Sequence, residues 1–215
     1  FVNGLSMSSA GSFHCIHAAG MAAVSFEKCD ISAENAAVCL VSGLFTSCCM
    51  YGCCIHDGSR QGILIAAHAK ATLVRNAIHS HLGEGVRVQE EGSAILKSNV
   101  IRLNLRGVSV NDSSATLLSN NIHSNKTVGV AVKGEKSVHV LMKDNTLTDL
   151  VMINGRAEAT LEDNNFGSDS GEIKGLDNSR GRFNVLVGDT GTDVTLRGGN
   201  GVVLFCDGAT GRQCS

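Results

Sequence analysis

The chain reads as an all-β protein: a right-handed single-stranded parallel β-helix of roughly seven to nine short coils, each with three strands. Three observations predict it. A short phrase returns as ATLVRNAI (Ala71 to Ile78), AILKSNVI (Ala94 to Ile101), ATLLSNNI (Ala115 to Ile122) and ATLEDNNF (Ala159 to Phe166). A second phrase, G-[IV]-x-[IV], returns at Gly62, Gly85, Gly107 and Gly129. A small polar residue anchors each unit: Cys29, Cys53, Asn76, Asn99, Asn120, Asn145 and Asn164, with spacings of 24, 23, 23, 21, 25 and 19.

The elements follow from the columns around those anchors. Three residues before each sits Phe26, Met50, Leu73, Leu96, Leu117, Met142 or Leu161. Five before sits Val24, Cys48, Ala71, Ala94, Ala115, Val140 or Ala159, and two after sits Ile31, Ile55, Ile78, Ile101, Ile122, Leu147 or Phe166. Apolar residues at period two define strands, and three such runs per unit define a coil. One unit cannot bury its own apolar face, so the units must stack, with equivalent residues roughly 4.8 Å apart. The asparagines then form an internal ladder in a tight turn, which Cys29 and Cys53 continue. A leucine-rich repeat has a similar period but needs L-x-x-L-x-L-x-x-N, and no unit here has it.

These units resemble the parallel β-helix repeats of NosD-like periplasmic proteins, of F-box proteins with a β-helical substrate domain, and of Shc-binding proteins, all of the wider pectin-lyase-like group. The resemblance covers roughly Ala22 to Gly171. It implies the fold directly. For function it implies adaptor or substrate-recognition work, although no F-box stands in this chain, or else carbohydrate chemistry.

Along the chain, 1–215 is expected to be a single β-helix domain and a fragment of a longer protein: an irregular entry coil or the remnant of an earlier coil (1–21), the repeats (22–171), then an irregular insert, terminal coils and a loose tail (172–215). Leu196 and Gly199 fall in the columns of Leu73 and Asn76. The net charge of −2 argues against a nucleic-acid partner, and no apolar run reaches membrane-spanning length. No cofactor motif appears. The nine cysteines are odd in number, and Cys29, Cys48 and Cys53 fall in inward columns. Buried reduced thiols and a cytoplasmic or nuclear setting are therefore expected. Cys48, Cys49, Cys53 and Cys54 alternate in and out along the coil, so the four are not expected to converge on zinc, and no metal site is expected. A Cys49–Cys54 contact on the outer side stays open.

Outward residues carry the function. On the first-strand face, Leu64, Arg87, Ser109, Ala131 and Met152 include one charge, with no acid expected beside Arg87. With no Trp and one Tyr, carbohydrate platforms are also lacking. Asp144 and Asp163, in equivalent positions of adjacent coils, are the best catalytic candidates, with Arg87 or Lys143 in support. Solvated turn acids, or a Ca²⁺ site with Asp149, are the other readings. On the second-strand face, Val74, Ile95, Leu118 and Leu141 suggest an apolar track for a protein partner or another domain. On the third-strand face, His56, His79, Arg102 and His123 line one stripe, with His81 at its edge, suited to an anion or an acidic partner. The expected function is a non-catalytic protein-interaction module. The alternatives are a carbohydrate-active or glycan-binding domain and a purely structural segment. The oligomeric state is not legible.

Overall fold

Parallel pairing dominates the computed structural model, which describes residues 1–167, 185–188, 192–198, 203–205 and 210–214. Every strand pair is parallel and joins equivalent positions of successive coils, so the chain is a β-solenoid of about seven turns. One representative coil runs through Ile63–Ala66, Lys70–Val74 and Ala77–His79, its first, second and third strands. The third strands form a separate eight-stranded sheet from Ser6–Ser9 to Asn165–Phe166. First and second strands fall in one larger sheet, because Val128–Lys143 and Val151–Glu162 run on through the corner that other coils turn sharply.

The predicted register is the observed one. Leu73 pairs with Met50 and Leu96, Ala71 with Cys48 and Ala94, and Ile78 with Ile55 and Ile101. These side chains fill one continuous core, and Leu73, Leu96, Leu117, Ile78, Ile101 and Ile122 are wholly buried. Each such side chain contributes about 1.5–3 kcal/mol by leaving water. Cys29, Cys48 and Cys53 are buried free thiols, as their columns require. A hydrogen bond with Cys48, and then burial, push the Cys39 thiol well up.

The anchor column is a hydrogen-bonded ladder. The Asn99 side-chain amide donates to Leu73 O (2.9 Å) and Asn120 Oδ1 (3.0 Å), while its own Oδ1 accepts from the Asn76 backbone N–H (2.9 Å). The same pattern continues through Asn145 to Asn164. Asn76 Oδ1 accepts from the Cys53 N–H at 2.8 Å, so the cysteine is tied in by its backbone. The residue before each anchor takes a left-handed conformation, as in Arg75 (φ 55), Ser98 (φ 55) and Asp144 (φ 56). That kink aims the anchor inward.

At the ends, one pair of alternatives is decided and two expectations are corrected. Of the two readings of residues 1–21, the earlier coil is the one observed: Val2 pairs with Phe26, Met7 with Ile31 and Ile16 with Cys39, in register with the coil that follows. It carries Leu5 where the later coils have their Cys or Asn anchor, which hid the period. Val185–Val187, inside the expected insert, is a first strand paired with Val151–Ile153. Thr210–Cys214, expected as a loose tail, pairs with Asp193–Arg197, because ladder bonds are made by the backbone whatever the side chains. Leu196 pairs with Leu161 as expected, and Val203–Phe205 with Val185–Val187. The remaining expectations for 171–184, Gly199, Gly201 and Cys206 lie outside the described residues.

Candidate functional site

A second ladder runs along the corner between third and first strands. Its members are Gly58, His81, Asn104, Asn125 and Asp149. The Gly58 N–H donates to His81 Nδ1 (3.0 Å), the His81 N–H to Asn104 Oδ1 (3.1 Å), the Asn104 N–H to Asn125 Oδ1 (3.1 Å), and the Asn125 N–H to Asp149 Oδ2 (2.9 Å). His81 is therefore inside the coil, not at the edge of the outer stripe. Its Nδ1 accepts and its Nε2–H donates to Ile55 O (3.1 Å), which fixes the neutral tautomer. Burial lowers its pKa to about 4. Asn104 and Asn125 fill this corner with an amide, and at Gly62 an added Cβ would stand 2.5 Å from the imidazole. An added Cβ at Gly85 would stand 2.7 Å from the Asn104 amide, so this corner needs glycine beneath ring and amide alike. Spacings of 23, 23, 21 and 24 echo the first column, but five positions of four residue types hide the ladder in the sequence.

The two ladders hold three outward faces rigid, and the third-strand face carries the densest chemistry. His56 stacks on His79 with ring centroids 5.6 Å apart, and the pairing continues to Arg102 and His123, so the predicted stripe is real as a row. A second row, two residues away, runs Asp30, Cys54, Ala77 and Val100. The rows meet at Cys54. Its Sγ lies 3.5 Å from His79 Nε2, and His56 Nε2 lies 2.9 Å from Asp30 Oδ1. Nδ1 of His56 bonds Asp57 (2.8 Å), and Nδ1 of His79 bonds the Ser80 hydroxyl (3.0 Å). Burial lowers the His56 pKa, but the bonds to Asp57 and Asp30 outweigh it and the net shift is upward. Burial, then Arg102 and His56, lowers that of His79. Burial, then Asp30, raises the Cys54 thiol. The row is thus not a uniform basic stripe: carboxylates face its first half, and Arg102 and His123 form the second.

This corrects the cysteine reading. Cys49 lies on the second-strand face and Cys54 on the third, so they do not meet, and Cys54 joins Asp30, His56 and His79 instead. A signal existed, because Asp30 and Cys54 hold the same place after Cys29 and Cys53.

On the second-strand face, the apolar track divides. Ile95 and Leu141 stand in one column with Thr72, Thr116 and Thr160, while Val74 and Leu118 stand in the next with Lys97 and Lys143. Ile95 is 45 % exposed, and the other three are half-buried. Ile95, Thr116, Leu141 and Thr160 line an open groove of about 380 Å³, walled by His139 and Glu158, whose Nδ1 and Oε2 stand 2.9 Å apart. Other exposed aliphatic residues, Leu82, Leu103 and Leu105, sit at the corner of the second ladder.

The first-strand face differs from expectation at one point. Glu84 stands beside Arg87 (3.7 Å) and Arg106 (3.8 Å) and accepts from Gln61 (3.0 Å). It lies near the strand's start, outside the alternating outward column, so the pattern missed it. Arg87 Nε is buried without a hydrogen-bond partner. Farther along, Ala131 and Met152 pack on Val128, Leu150 and Leu186, and Ser109 is buried.

Asp144 and Asp163 are exposed residues at the corner between second and third strands, both with positive φ. Lys143 pairs with Glu162 (3.3 Å) rather than with either. Asp149 belongs to the opposite corner, where its Oδ2 accepts two bonds from Asn125, so the three acids do not converge on Ca²⁺. No helix among the described residues is long and apolar enough to cross a membrane.

Parallel coils, an inward asparagine ladder and polar outward rows define a β-helix repeat protein. A family described as a right handed beta helix region matches residues 5–147, and the chain belongs to that family. No curated protein and no solved structure matches the chain.

Proposed function

We propose that this chain is a non-catalytic binding module that captures an extended segment of a partner protein on its second-strand face. The observation that carries the reading is the groove around Ile95. A β-branched side chain stands 45 % exposed on a rigid sheet, in one column with Thr116, Leu141 and Thr160. The groove crosses four successive coils, so it is roughly 14 Å long and suits about four extended residues. Its floor gives an aliphatic side chain a place to lie, and the threonines and the His139–Glu158 wall give polar contacts at the rim. The proposed setting is cytoplasmic or nuclear, where its buried thiols stay reduced.

A displayed library of linear peptides selected on the full chain tests this. Selected sequences should converge on one aliphatic position. Ile95→Asp or Thr116→Lys should weaken them at least about tenfold, the scale of one lost anchor, with the far-ultraviolet circular dichroism unchanged. Selection that yields no common motif, or peptides that bind both variants as well as wild type, would remove the reading.

A second reading rests on Glu84. Two guanidinium groups held by one carboxylate on the first-strand face are donors of the kind that pair with an acidic sugar. It predicts binding of uronate oligosaccharides that Arg87→Ala abolishes. In this reading Glu84 replaces Asp144 and Asp163 as the first acid to change.

A further inference from the structure

The Cys54 cluster has no part in peptide capture, and its donors are arranged in an unusual way. Asp30 and Cys54 are paired on adjacent rungs, and so are His56 and His79. The four side chains thus come from three successive coils and lie on one face. One ligand atom from each of Asp30, Cys54 and His56 falls within 4.8 Å of the others. His79 Nε2 stands 3.5 Å from Cys54 Sγ and joins these three through the thiol alone. In tetrahedral zinc sites with bonds of about 2.0–2.3 Å, neighbouring ligand atoms stand roughly 3.3–3.8 Å apart. Asp30, Cys54 and His56 stand near that spacing, and His79 meets it at Cys54 and closes on the ion by turning its ring toward the other two.

The orientation of the rings is the second, independent observation. Each imidazole has its Nδ1 engaged, by Asp57 for His56 and by Ser80 for His79. Each therefore turns its Nε2 toward Asp30 and Cys54. A carboxylate on the far nitrogen of a histidine is how metal-binding imidazoles are oriented and made more basic. Arg102, on the rung after His79, ends the row of donors.

We propose that Asp30, Cys54, His56 and His79 bind one Zn²⁺ ion and clip three successive coils together. One thiolate, one carboxylate and two neutral imidazoles balance the ion's two positive charges. Binding sends the Cys54 thiol proton to solvent, along with any proton His56 carries between its two carboxylates. With four protein ligands the site is closed, so the metal is structural and leaves no position for a substrate.

The test is titration of the reduced, metal-free full chain with Zn²⁺ by calorimetry, and with Co²⁺ by absorption. Wild type should bind one Zn²⁺ at this site and show a thiolate-to-cobalt charge-transfer band. Cys54→Ser should lose the band, and Cys54→Ser and His79→Gln should each weaken Zn²⁺ at least about tenfold. Asp57→Asn should keep the band with weaker affinity. Cys49→Ser and Ile95→Asp, which lie on another face, should match wild type, separating this site from the peptide groove. Wild type that binds no Zn²⁺, or Cys54→Ser that binds it as well as wild type, overturns the proposal.

Discussion

At the scale of single residues, two inward columns carry much of the specificity of the fold. The Asn99 side chain makes four ladder contacts in a buried site, and its loss strands the Asn76 N–H and the Leu73 carbonyl. Leaving buried polar groups unpaired costs about 1–3 kcal/mol each. Asn99→Ala should therefore lower unfolding free energy by roughly 2–5 kcal/mol in urea titration; a loss below 1 kcal/mol would show the ladder to be decoration. His81 gives a pH signature. Its pKa falls from an ordinary value near 6.5 to about 4 on folding. The unfolded chain therefore binds the extra proton between those limits. Stability is full above the unfolded pKa and is lost as pH falls toward 4, by roughly 3 kcal/mol in all. His56, His79 and Asp57 are the nearby titrating groups. In chelator-treated protein, His81→Asn should flatten this part of the pH profile, because Asn104 and Asn125 already fill the same corner with an amide. An unchanged acid limb in that variant would assign the loss to other groups.

At the scale of elements, strands, register and the first ladder were legible because burial enforces period two and the stacked coils enforce a common length. The second ladder was not, since Gly58, His81, Asn104, Asn125 and Asp149 share a place but not a chemistry. The glycine opening each first strand was visible as a motif, but its reason was not. At Gly107 an added Cβ would stand 2.4 Å from the Gly129 carbonyl and 2.8 Å from Ile122. Backbone cannot yield as a side-chain end can, so Gly107→Ala should destabilise by about 1–3 kcal/mol, read as a lower thermal midpoint. An Ala variant as stable as wild type would mean that the coils can move apart at this corner. The candidate sites were half legible. His56 and His79 were placed on one row by register alone. Asp30 and Cys54 shared the neighbouring row by the same logic, but the run of thiols from Cys48 to Cys54 points across the turn to Cys49 instead. Glu84 was missed because it sits where the strand begins, just before the alternation starts.

At the scale of the molecule, the solenoid separates core from function. Inward columns repeat, whereas outward columns change from rung to rung, and only the latter can distinguish one partner from another. The three faces differ in chemistry: a glutamate held by arginines on the first, an aliphatic groove on the second, and a thiol–imidazole–carboxylate cluster on the third. Each is held by the same two ladders, so substitutions on one face should leave the others intact. The measurement that tests the central proposal most directly is affinity capture with four versions of the full chain: wild type, Ile95→Asp with Thr116→Lys, Glu84→Gln with Arg87→Ala, and Cys54→Ser with His79→Gln. Protein capture on the second-strand face predicts a set of partners retained by wild type and by the first- and third-face variants, and lost only with Ile95→Asp and Thr116→Lys. A set retained by that variant, or lost with the Glu84 and Arg87 changes instead, would contradict it and move the function to another face.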